Sequence, residues 1–119
     1  MTMSMNVVED VAHVAMTDFV EKQNSRTAGQ QESMTTLTSD DRGRPLSAIW
    51  ECTPGEFASR RVGLNELCLF LAGSLEVEDS DGSVRVLSPG DVLILQDGWS
   101  GTWRILETVR KVAFIQYTD

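Results

Sequence analysis

From residue 34 onward, apolar and polar positions alternate in short runs separated by turn residues. MTTLT (34–38) and LSAIWEC (46–52) predict two strands flanking a turn at SDDRGRP. TPG (53–55) predicts a second turn, because Pro presets φ and Gly accepts a positive one. EFASRRV (56–62) is strand-like, and ELCLFLAG (66–73) is an apolar run closed by Gly, as expected of a buried strand. SLEVEDSDGSVRVL (74–87) predicts a hairpin: Leu75 and Val77 alternate with Glu76 and Glu78, and Val84 and Val86 with Ser83 and Arg85, around DSDGS. VLILQ (92–96), TWRIL (102–106) and RKVAFIQY (110–117) complete the set. Strands recurring roughly every 8–12 residues, without a long segment of helical period, predict an all-β sandwich or barrel.

The N-terminal third reads differently. VAHVAMTDFV (11–20) fits neither period cleanly and is taken as a short strand or turn. EKQNSRTAGQQESM (21–34) is polar and predicts a surface loop. Residues 1–34 are therefore expected to be poorly ordered or packed along a barrel formed by 35–119.

The chain has 119 residues, enough for one domain with its own core. Its formal net charge of −8 argues against binding nucleic acid or an anionic membrane, both of which need a basic face. No apolar run approaches the roughly 20 residues of a membrane helix. MTMSMNVVED lacks a basic region followed by an apolar stretch, so no signal peptide is expected, and a cytoplasmic protein is. Cys52 and Cys68 are too few for a disulfide scaffold and are expected to be small buried hydrophobes.

The order of motifs resembles the cupin superfamily, whose fold is a small jelly-roll barrel. Glu66 and Gly73, with six residues between them, match the end of its first motif; Gly90-Asp91 and Gln96-Asp97-Gly98 match its second. IWECTPG (49–55), NELCLFLAG (65–73) and GWSGTWRILETVRK (98–111) are similar to a small single-domain branch related to ureidoglycine aminohydrolase and the ethanolamine-utilisation cupin. The resemblance implies a single cupin barrel. In metal-binding members it also implies a His-x-His pair before the glutamate and a further His in the second motif. Counting back from Glu66 puts that pair at Arg60 and Val62, or at Ser59 and Arg61; the third position falls on Gly101. Only Glu66 remains of the usual ligands, and the sole histidine, His13, lies outside the pattern. An arginine there would repel a cation. No metal and no cofactor are expected, and manganese-dependent aminohydrolase activity is not.

Glu66 should point into the barrel. It either binds a ligand or serves as a general acid/base with a raised pKa, or it forms a structural bridge with Arg60 or Arg61. Those arginines are adjacent in a strand, so one faces in and could clamp a carboxylate. Gln96 could offer an amide to a ligand, Trp99 could form a pocket rim or interface, and Trp50 and Tyr117 could line the lumen. The resemblance implies a recurrent lysine at Lys111. Glycines 55, 73, 90, 98 and 101 read as turn positions, and Gly101 should leave the lumen wider where a histidine would have stood. Leu67, Leu69 and Leu71 place apolar groups on the face opposite Glu66, which a second sheet, the N-terminal segment or a second subunit must cover.

The leading expectation is a metal-independent cupin that binds a small polar molecule in its lumen, non-catalytic or regulatory. A metal-free isomerase, lyase or aminohydrolase-like enzyme using Glu66 is the alternative, and a structural or interaction homodimer a third.

Overall fold

The strands are laid out around two long ones. In the computed structural model, which describes residues 3–119, a short 3-10 turn at Val11–His13 precedes eight strands. They are β1 Val20–Glu21, β2 Gln31–Ser39, β3 Pro45–Cys52, β4 Gly55–Arg60, β5 Leu64–Glu78, β6 Val84–Leu87, β7 Val92–Leu95 and β8 Ser100–Tyr117. Met1 and Thr2 of the N-terminal segment lie outside the described residues. β5 and β8 run antiparallel from Leu64↔Tyr117 to Glu78↔Thr102. Their first-half pairing is flanked by β3 and β7, their second-half pairing by β4 and β6. All pairings are antiparallel, as in an all-β jelly-roll barrel, the predicted class.

The sequence divides β5 and β8 into two strands each; the structure joins both. Gly73 does not end β5. It sits at an irregularity in the β5–β8 ladder with φ 80°, a conformation that disfavours any side chain. A Cβ there would overlap the Thr108 carbonyl oxygen, so glycine lets the two strands stay in contact as they bend.

Inward positions of the strands form one aromatic and aliphatic core, with Trp50, Phe57, Phe70, Leu75, Trp103 and Val109 among its members. Trp103 and Phe70 are essentially fully buried, and each such aromatic contributes about 1.5–3 kcal/mol or more by removal from water. Both cysteines are free and buried here, as expected.

The described part of the N-terminal segment packs on the barrel. Arg110 Nη1 donates to the Val11 carbonyl at 3.1 Å, Ser33 Oγ donates to the Thr17 carbonyl, and β1 pairs with β2 through Val20↔Glu32. Of VAHVAMTDFV only Val20 joins a strand. β2 begins at Gln31, inside the stretch read as a loop, because its partner β3 continues to Cys52 opposite Glu32. No helix among the described residues is long and apolar enough to cross a membrane.

Candidate functional site

Alternation along β5 sends Glu66, Cys68 and Phe70 inward and Leu67 outward. Register does the rest. Lys111 of β8 stands opposite Phe70 and also opposite Trp50 of β3, which puts its stem between aromatic rings. Lys111 Nζ lies 2.5 Å from Glu66 Oε2, and Arg61 Nε lies 2.8 Å from Oε1. Cys68 Sγ donates to Oε2 at 3.0 Å. Glu66, Lys111 and Arg61 are all close to fully buried, with side-chain exposures of 8%, 8% and 12%. A charge so placed is tolerated only when paired.

Burial alone would raise the Glu66 pKa. The Lys111 ammonium and the Arg61 guanidinium outweigh it, with help from hydrogen bonds from Cys68 and Lys111, and lower it to about 2. The expectation of a raised pKa is thereby corrected: the carboxylate is too well stabilised to accept a proton readily near neutrality. Burial, the largest influence on each thiol, raises Cys52 and Cys68 to about 12, so both are protonated and unreactive at neutral pH.

Of the two adjacent arginines, Arg61 turns in and Arg60 is exposed. Ser59 is buried as well, so Ser59 and Arg61, not Arg60 and Val62, occupy the inward pair. Arg61 Nη1 donates to Ser59 Oγ and to the Arg60 carbonyl, both at 2.9 Å. The turn after β7 holds its backbone: Arg61 N–H donates to the Trp99 carbonyl and Gly98 N–H to the Arg61 carbonyl.

Trp50, Phe57 and Trp103 wall a pocket of about 150 Å³, with the Ser59 hydroxyl and the cations of Lys22, Arg61 and Lys111. Lys111 Nζ sits 4.8 Å from the Trp50 ring centre and 5.0 Å from that of Trp103. Lys22 Nζ sits 4.2 Å from the Phe57 ring centre and 3.0 Å from Glu32 Oε1, which also accepts the Trp50 indole N–H.

The structure thus gathers Glu66, Arg61, Lys111 and Trp50 and leaves others aside. Gln96 is exposed in the turn, where its carbonyl accepts the Trp99 N–H, and is not among the residues lining this pocket. Tyr117 donates its hydroxyl to the Pro45 carbonyl and stacks under Arg44, and it is not among the residues lining this pocket. Trp99 lines a different depression, with Asp79, Arg85 and Leu93, and donates its indole N–H to Asp79. Gly101 does not widen the lumen. It has no positive φ, and a Cβ on it would overlap the Glu78 carbonyl oxygen and the Trp99 ring, so the space is already filled.

Sequence reasoning missed Lys22. It is carried by a loop that is anchored, not loose. Gln30 is buried, donates to the Thr53 carbonyl at 2.9 Å, accepts from Ser25 Oγ, and fills the space that a side chain at Gly55 would take. Lys22 N–H closes the loop on the Gln30 carbonyl, and Asn24 and Arg26 fasten it along β4. No periodicity marks such a segment, because polar side chains and backbone, not an apolar face, fix it.

A cupin's divalent metal does not fit these residues. Among the described residues no group of three or more His, Cys, Asp or Glu side chains is placed to hold a metal ion. The buried Glu66 carboxylate has a cation on each oxygen, and the thiol beside it stays protonated.

A family model described as a EutQ-like cupin domain matches residues 40–113. The chain belongs to the EutQ-like cupin family. Similar solved structures place this cupin among small barrels. A DUF861-family protein of unknown function from Pseudomonas syringae pv. tomato shares 21% identity at a TM-score of 0.70, covering 88% of this chain and 46% of its own. The cupin described here thus spans about half the length of that protein. The Clostridium difficile EutQ protein shares 14% identity at 0.71, over 92% of this chain and 86% of its own. A DUF861-family protein from Thermotoga maritima is 35% identical at 0.51, over 58% of this chain and 75% of its own. No curated protein matches the cupin.

Proposed function

We propose that this cupin is metal-independent and binds a small polar molecule in its lumen, in a non-catalytic or regulatory role. One observation carries the reading: the buried Glu66 carboxylate is held between Lys111 and Arg61, where a metal-binding cupin would need free donors. The same pairing weakens the enzymatic alternative. Both Glu66 oxygens are committed and its pKa is lowered to about 2, so little basicity is left for proton abstraction.

Dialysis against manganese or zinc, followed by elemental analysis and native mass spectrometry, tests it. The expected result is no stoichiometric metal and a melting temperature indifferent to chelator. One metal per chain surviving gel filtration would overturn it.

A further inference from the structure

Both lysines of the chain, Lys22 and Lys111, line the same small pocket. Lysines are ordinarily solvated, and the side chains of these two are 9% and 8% exposed. Arg61 joins them, and no carboxylate lines the pocket: Glu66 stands behind Lys111 and Arg61, and Glu32 behind Lys22. Three cations against two carboxylates leave one positive charge in surplus. That surplus is local, since the chain as a whole carries −8.

The free hydrogen-bonding capacity is also one-sided. Arg61 Nη2 has no acceptor among the described residues, and Lys22 Nζ uses one N–H of its three, on Glu32. Trp103, 1% exposed and part of the pocket wall, has its indole N–H buried without a partner. That N–H is closed to water as well, so the donors the pocket offers are those of Lys22 and Arg61. Glu66 has each oxygen already engaged, and Ser59 Oγ accepts from Arg61. What the pocket lacks is an acceptor bearing one negative charge.

We infer that the lumen takes a small monocarboxylate, its oxygens on Lys22 and Arg61 and its carbon part against Trp50, Phe57 and the Trp103 ring. The aromatic walls favour an anion with an apolar or planar tail over bare phosphate, and about 150 Å³ limits it to the size of benzoate or smaller. The inference rests on the lumen being a small-molecule site and adds the charge and class of the occupant.

The test compares probes of matched shape at constant ionic strength: propionate and benzoate, their amides, and propylamine and benzylamine. Tryptophan fluorescence and calorimetry read binding. Saturable binding of a carboxylate, with its amide and amine at least about tenfold weaker, is expected. Lys22→Met should weaken that carboxylate by about tenfold while Lys22→Arg restores most of it, and a cooperative thermal transition in each variant shows that both fold. An amide or amine that binds as well as its carboxylate overturns the inference and leaves the small-molecule reading standing. Binding by none of the probes overturns both. Carboxylate binding indifferent to Lys22→Met also overturns the inference, because the anion would then sit elsewhere.

Discussion

The two faces of β5 invert the usual order of a protein. Glu66 faces in, beside Lys111 and Arg61; Leu67 faces out and meets Ile94 of β7 and Phe114 of β8, all three exposed. The neighbouring outward row is different: Ile49 and Val112 are buried on the side where the N-terminal segment is tied down through Val11 and Thr17. An apolar residue outside costs little, because much of any protein surface is apolar. A charge inside costs a great deal unless every partner is present. The inner face is therefore where a single substitution has the largest effect.

The most severe break is Glu66→Leu. It leaves Lys111 and Arg61 buried without their shared counter-ion, and unfolding by denaturant should show a loss of about 3–5 kcal/mol. Adding Lys111→Met to the same chain should recover a large part of that loss by removing the stranded ammonium. A single variant as stable as the parent would mean that water reaches both cations.

Acid probes the same triad more gently, since protonated Glu66 keeps its place and its shape. Its folded pKa lies below the ordinary 4.5, at about 2. The stability it contributes is thus fully present above about 4.5 and is lost as pH falls toward 2. The melting temperature should fall across that window, and in Glu66→Gln the portion due to this group should be absent. An identical acid profile for the two proteins would contradict the pairing.

What the sequence disclosed follows the same division. Strand positions and turns were legible because alternation records which face is buried. The Glu66 position came from motif resemblance. Of the two arginines, alternation said that one faces in, and the exposure of Arg60 and the ion pair of Arg61 with Glu66 settled that it is Arg61. Three features were not legible, each for a physical reason. Gly73 looks like a terminator, although its positive φ serves a continuous strand. Lys22 is placed by a buried glutamine and backbone hydrogen bonds, which leave no periodic trace. Gly101 reads as vacant space because a residue's own size says nothing of what its neighbours fill, here the Trp99 ring.

Gly101→His tests that last point, and a smaller loss is expected. A histidine at this position would not rebuild a metal ligand; it would press on Glu78 and Trp99 and cost about 1–3 kcal/mol in thermal or denaturant unfolding. Gain of a tightly held metal ion, with stability unchanged, would show that Trp99 yields the space.

The outer face should give the smallest effect. Ile94 is 67% exposed, and Ile94→Thr keeps its β-branched shape. For a chain whose outer row is open to water, unfolding should shift by no more than about 0.5 kcal/mol. A loss above about 1 kcal/mol that grows with protein concentration would mean that the row is covered by a second copy in solution, since only a concentration-dependent partner makes stability depend on dilution. Set beside Glu66→Leu, that outcome would shift weight from the lumen to the surface: the exposed apolar row would then be an interface held by the same strand that holds the buried charges. Indifference to Ile94→Thr would leave β5 with one face that matters energetically and one that does not.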